Sequence, residues 1–210
     1  MRVRAWFRTP VVSDEFLPLD GVLLYQAMRR RHGPREATLP GATADVEGVR
    51  IPLEHRNEES DHWYHACSFA WWGPHSDDKA YWEKRLDAGR LDIVNTPRKI
   101  DTASGRYRLY HMPIFYRSAL YVDWYACGDM EIVADLLSDV WAMGKKTSQG
   151  WGRVSRWEIS NWDEDLSWMR AVPVAGRDFD PSKCLYTGFR PPYWLPSNQT
   201  ICELWMNGRV

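Results

Sequence analysis

Residues 2 to 8 alternate: Val3, Ala5 and Phe7 fall on one face, Arg2, Arg4, Trp6 and Arg8 on the other. That period of two predicts a half-buried strand with a basic, aromatic outer face. After Pro10 and Pro18, Asp20 is placed to cap a helix in which Leu23, Leu24, Ala27 and Met28 recur at helical spacing, ending in Arg29-Arg30-Arg31-His32-Gly33-Pro34. Cations there complement the helix dipole, so a solvated helix end competes with a basic contact for RNA. Residues 33–61 carry glycine, proline and charge, which predicts a surface loop with room for a short strand from Val49 to Leu53. His62 to Trp72 is rich in β-formers and reads as a strand running into a polar bend at Gly73-Pro74-His75.

The pattern then becomes basic and aromatic. Arg98, Lys99, Arg106, Tyr107, Arg108, Tyr110 and His111 flank Asp101-Thr102-Ala103-Ser104-Gly105, which has the turn chemistry of a hairpin tip, and this predicts a hairpin over 92–117. Charge for a backbone and rings for bases suit single-stranded nucleic acid, while an edge hairpin guarded by charges has the same composition. Ala119 to Ala126 reads as a strand, and Asp129 can cap a helix carrying Ile132, Val133, Leu136, Leu137 and Val140. That helix delivers the chain to Gly144-Lys145-Lys146-Thr147-Ser148-Gln149-Gly150-Trp151-Gly152. Val154, Trp157 and Ile159 then suit a closing strand.

Strand, helix, strand, hairpin, strand, helix, loop, strand is the order of a ferredoxin-like split βαβ arrangement with an insertion, an α+β fold. Residues 1–160 are expected to form this domain, with the loop 33–61 and a thumb-like hairpin 92–117. Residues 161–210 are expected as an irregular extension packed on it.

The loop from Gly144 to Gly152 carries the chemistry. Glycine lets a backbone approach a phosphate, lysines supply charge, and Trp151 offers a stacking face. A helix C-cap and tight turn would need only Gly144. It is not a Walker loop, because Gly144-Lys145 is followed by Lys146, position 139 is Asp139, and the helix precedes the loop. A dinucleotide fingerprint fails at Ser155, and the echo of an RNA-recognition strand over Gln149 to Trp157 puts Arg153 and Arg156 where that motif wants aromatics.

Composition narrows the classes. A net charge of -1, from 27 basic and 28 acidic residues, leaves only a local patch for a polyanion. Thirteen tryptophans exceed what a core needs and point to contact surfaces. Cys67, Cys127, Cys184 and Cys202 are scattered, which argues against zinc and against a disulfide framework. His62 and His65 fall on opposite faces of a strand, so no metal is expected there. No segment reaches the roughly 20 apolar residues of a membrane helix, and a cytoplasmic protein without cofactors is expected.

Four stretches together resemble the CRISPR-associated RAMP superfamily, and within it the small subunit of type IV effector complexes: Leu19-Asp20-Gly21-Val22-Leu23-Leu24, Trp124-Tyr125-Ala126-Cys127-Gly128-Asp129, Gly144 to Gly152, and Gly188-Phe189-Arg190-Pro191-Pro192-Tyr193-Trp194. The resemblance implies a non-catalytic subunit that caps the five-prime handle of the guide RNA, packs against backbone and large subunits, and helps the complex bind target DNA. It implies handle contacts from Lys145, Lys146, Ser148, Gln149 and Trp151, with Gly144, Gly150 and Gly152 opening backbone N–H groups to phosphate, Arg153 beside them, and Arg98, Lys99, Arg106 and Arg108 on the thumb. Two other classes stay in view. One is a metal-independent endoribonuclease drawing on His62, His65, His111 and tyrosines. The other is a tryptophan-rich module binding carbohydrate or protein.

Overall fold

The computed structural model describes residues 1–33, 48–84, 103 and 108–205. Its strands are β1 (Arg2–Phe7), β2 (His55–Arg56), β3 (Tyr64–His65), β4 (Trp71–Trp72), β5 (His75–Lys84), β6 (Tyr110–Ala119), β7 (Tyr121–Tyr125), β8 (Val154–Ser160), β9 (Ala171–Pro173), β10 (Cys184–Gly188) and β11 (Gln199–Leu204). Its α-helices are α1 (Leu19–His32) and α2 (Met130–Ser138). The fold is α+β, with most regular structure in antiparallel strands.

The central sheet has the order β4-β7-β1-β8, antiparallel throughout. Val3 stands between Trp124 and Ile159, and Ala5 between Val122 and Trp157, so the apolar half of the β1 alternation meets apolar partners on both sides. Onto this face pack Leu19, Leu23 and Leu24 of α1 and Val133, Leu136 and Leu137 of α2. Two core tryptophans keep their N–H groups satisfied: Trp124 donates to the Leu17 carbonyl at 2.7 Å and Trp157 to that of Val140 at 2.9 Å.

The polar half of β1 lies on the outer face, and it is less basic than the strand alone suggests. Arg4 is held by both oxygens of Asp123 at 2.7 Å, Arg2 reaches Glu158 at 3.2 Å, and Trp6 donates to Glu158 at 3.1 Å. Neighbouring strands supply the carboxylates that neutralise it.

Helix α2 begins as expected: Asp129 accepts from the N–H groups of Glu131 and Ile132. Its buried face is Val133, Leu136 and Leu137, while Ile132 is half exposed. Asp20 does not cap α1. The cap position is Pro18, and Asp20 is fully buried in the first turn, where it serves a contact described below.

The expected strand from His62 to Trp72 is only the short β3 and β4. Between them Ala66 donates to Glu54, Ser68 to Tyr125 and Phe69 to Met169, so the backbone serves three different segments and cannot form one ladder. Val49 to Leu53 is not a strand either; Ile51 and Leu53 are buried in the main core, and Leu53 bridges Gly128.

The described residues show a ribbon of β5 and β6, registered from His75 with Ala119 to Lys84 with Tyr110, so its first arm precedes the expected range 92–117. Asp77 and Asp78 are strand residues. Arg117 takes both oxygens of Asp77 at 2.7 and 3.1 Å across the ribbon, and this cross-strand pairing makes the charges compatible with a strand. Arg98, Lys99 and Arg106, and nearly all of the expected tip, lie outside the described residues. The C-terminal segment is more regular than expected. β10, β11 and β9 form a three-stranded antiparallel sheet over a second apolar cluster of Tyr64, Phe69, Ala171, Phe189 and Cys202.

Candidate nucleic-acid interface

The glycine-rich loop leaves the segment after α2, makes one 3-10 turn at Thr147–Gln149 and enters β8. Its glycines answer to the chain's own backbone. A Cβ on Gly152 would stand 1.9 Å from the Met143 carbonyl oxygen and one on Gly144 2.5 Å from that of Val12, with φ at +66° and +84°. The Gly152 N–H donates to Pro10 and that of Gly150 to Thr147, so these amides are engaged within the fold. No described residue accepts from the amides of Lys146, Thr147, Ser148 or Trp151, which are the donors the loop presents.

The side chains divide by what they touch. Lys145 pairs with Asp14 at 2.5 Å, both well exposed, an ion pair that solvent screens and a phosphate can displace. Lys146, in the left-handed region at φ +62°, places its ammonium 4.0 Å above the Trp82 ring of β5. Trp151 packs against Tyr116 of β6 with ring centroids 5.0 Å apart. The Arg153 guanidinium lies 4.1 Å over Trp141. Ser148 and Gln149 are exposed at the turn.

Trp82 and Tyr116 lie on the same face of the ribbon, because their positions differ by even steps in the β5–β6 register. That face sits on the loop. The opposite face carries Tyr81 stacked on His111 at 4.2 Å and Phe115, 69% exposed. The structure therefore joins two candidate segments far apart in the chain, the loop and the hairpin. Of the four thumb cations expected to meet RNA, Arg108 alone is among the described residues, and it is exposed. At the foot of the ribbon Asp14, Glu15, Asp77, Asp78, Lys79 and Arg117 line a concavity of about 550 Å³, in which Asp77 is paired with Arg117 and Asp14 with Lys145.

Trp82, Tyr116 and Trp141 were not among the sequence candidates. The period-two run His75-Ser76-Asp77-Asp78-Lys79-Ala80-Tyr81-Trp82 was the available signal for the first, obscured by its charges. Among the described residues no cluster of histidine, cysteine, aspartate and glutamate has metal-binding geometry, and no helix is long and apolar enough to cross a membrane. His65 is buried, which pushes its pKa down to about 4 and keeps the ring neutral.

A family model for CRISPR type IV associated protein Csf3 matches residues 1–204. The chain belongs to the Csf3 family. No curated protein matches it. Csf3 membership makes the chain a component of a type IV CRISPR effector complex.

Two of the stretches that carried the resemblance meet inside this Csf3-family fold. Asp20, next to Gly21, and Tyr193, in the turn after β10, converge on Arg170, and the Arg170 and Asp20 side chains are fully buried. Arg170 donates to Asp20 Oδ2 from both terminal nitrogens at 3.2 Å, to the His65 and Cys67 carbonyls at 2.7 and 3.1 Å, and to the Phe189 carbonyl at 2.7 Å. Tyr193 donates to Asp20 Oδ1 at 2.5 Å. Burial by itself lowers the Arg170 pKa, but the Asp20 charge outweighs it and the net shift is upward, so the guanidinium stays charged. This node ties the C-terminal sheet to the first turn of α1 and so fixes one side of the surface beside the loop.

Proposed function

We propose that this chain is the non-catalytic RNA-binding subunit that caps the five-prime handle of the guide RNA in its type IV complex, with the glycine-rich loop and the β5–β6 ribbon as two parts of one grip. The observation that carries this reading is their contact: Lys146 over Trp82 and Trp151 beside Tyr116 put cations, unengaged amides and rings on one surface. The strand order β4-β7-β1-β8 with both helices on one face supports a ferredoxin-like RAMP domain, the ribbon inserted between its second and third strands. Tyr186 and Ile201, opposite each other and exposed on the C-terminal sheet, suit packing against backbone or large subunits, through which the chain contributes to target DNA binding. A cytoplasmic site of action goes with this role.

The test is binding of the full chain, alone and in its complex, to repeat-derived RNA from its own locus across a salt series in EDTA. Lys146→Ala is expected to weaken binding and to reduce the steepness of the salt dependence by about 0.7, one phosphate contact on a single strand. An unchanged slope would remove Lys146 from the interface. A single defined cut in the RNA would overturn the non-catalytic reading in favour of a metal-independent endoribonuclease.

A further inference from the structure

Beside the loop lies a cleft of about 730 Å³ between α1, the segment leaving α2 and the turn after β10, with Asp14 shared between it and the concavity at the foot of the ribbon. On α1, Gly21, Tyr25 and Arg29 follow at four-residue spacing and share the face that forms one wall. Trp141 and Thr147 line it from the segment after α2, and Trp194 from the turn after β10. Tyr25 is 42% exposed, Trp141 51% and Trp194 72%. Three rings so exposed around one concavity are not filling a core, and they offer ring surface for stacking beyond the Trp141 face that Arg153 covers. Gly21 is not demanded by packing, since a Cβ there would make an ordinary 3.6 Å contact with the Tyr193 ring; glycine keeps the α1 wall low.

One polar group is closed into the wall and one stands at the rim. Gln26, 3% exposed, belongs to the wall, and its Nε2 donates to Asp139 at 3.2 Å. A carboxylate only accepts, so the amide is held this way round, and its Oε1 has no donor among the described residues. Arg29 lies 5.8 Å from the Tyr25 ring centroid and pairs with no described carboxylate, leaving a cation at the rim. Gly144 and Thr147 belong both to this wall and to the glycine-rich loop.

We propose that the cleft takes one nucleobase of the bound RNA, turned out of the strand that crosses the loop. It stacks among Tyr25, Trp141 and Trp194, and the adjoining phosphate lies near Arg29. This rests on the RNA-binding reading above. The volume falls within the range of small-ligand sites, and the shared loop residues favour RNA over a protein segment as occupant.

The experiment is an abasic scan: repeat-derived single-stranded RNAs, each lacking one base, titrated against the full chain, Lys146→Ala, Trp194→Ala and Tyr25→Ala. The expected result is one position whose missing base weakens wild-type binding about tenfold, the scale of a single base–aromatic stack. That penalty should vanish in Trp194→Ala and Tyr25→Ala and persist in Lys146→Ala. Trp194 is largely exposed, so its replacement leaves folding intact. If RNA binds with the expected Lys146 dependence but every abasic position is tolerated, or the penalty survives in Trp194→Ala, the cleft assignment is overturned and the RNA-binding reading stands. If Trp194→Ala leaves RNA binding unchanged and releases a co-purifying subunit, the occupant is protein. If neither the chain nor its complex binds RNA, the reading beneath the proposal fails as well.

Discussion

Replacing Asp20 by alanine removes the only carboxylate, among the described residues, on a guanidinium that has no access to water. Arg170 keeps the carbonyls of His65, Cys67 and Phe189 and the Tyr193 hydroxyl, but these are dipoles, and its charge is left without a counter-ion. Breaking a buried pair from one side costs about 3–5 kcal/mol, far above an exposed pair such as Lys145 with Asp14, which contributes about 0–1 kcal/mol. For a chain of this length the cost corresponds to a fall in Tm of about 6–20 °C. Urea unfolding of the wild type, Asp20→Ala, Arg170→Met and the double variant measures it. The double variant is expected to be more stable than Asp20→Ala, because removing both charges also removes the stranded one. Because the node holds the C-terminal sheet to α1, limited proteolysis of Asp20→Ala should cut first between β8 and β9. A loss below about 1 kcal/mol, or two single losses that simply add in the double variant, would refute the counter-ion argument.

Three further outcomes follow from the geometry. His65 is buried with its pKa lowered from 6.5 to about 4, so the unfolded chain takes up the proton first. Its stabilising effect is complete above pH 6.5 and is lost as pH falls toward 4, about 2 kcal/mol by pH 5, and urea titrations of wild type and His65→Phe at pH 7 and 5 should differ by that amount. Gly152→Ala forces a Cβ to 1.9 Å from a carbonyl oxygen, whereas Gly150→Ala at φ +95° meets nothing within 4 Å. Thermal unfolding should show a loss of more than about 2 kcal/mol for the first and about 1 kcal/mol for the second. Burial pushes the Cys67 and Cys202 thiols up to about 12, so iodoacetamide on the native chain, followed by peptide mapping, should label Cys127 and Cys184 while leaving those two unreacted until unfolding.

Much of the element order can be read directly from the chain. The alternation of β1, the Asp129 cap and apolar face of α2, and the strand through Val154, Trp157 and Ile159 are short-range patterns that depend on neighbours in sequence. The glycine-rich loop was visible for the same reason, since three glycines in nine positions mark a backbone that must bend back on itself. Helix α1 is legible as a helix but its first turn is not, because a buried aspartate and a capping aspartate look alike until their partners are known.

What only the tertiary structure decided are the pairings across long separations. Asp77 and Asp78 resemble a solvated loop until Arg117 and Tyr116 stand opposite them, and Arg2 and Arg4 resemble a basic surface until β7 and β8 bring Asp123 and Glu158 alongside. Arg170 resembles any other arginine in the sequence. Its charge becomes structural only when Asp20 and Tyr193 arrive from both ends of the chain and water is excluded. The loop and the ribbon follow the same rule: the chain sets out the lysine, the tryptophans and the glycines by composition, and burial and strand register bring Lys146 to Trp82 and Trp151 to Tyr116. Local periodicity is a property of a few adjacent residues, whereas counter-charge, desolvation and ring contact are properties of distance in space.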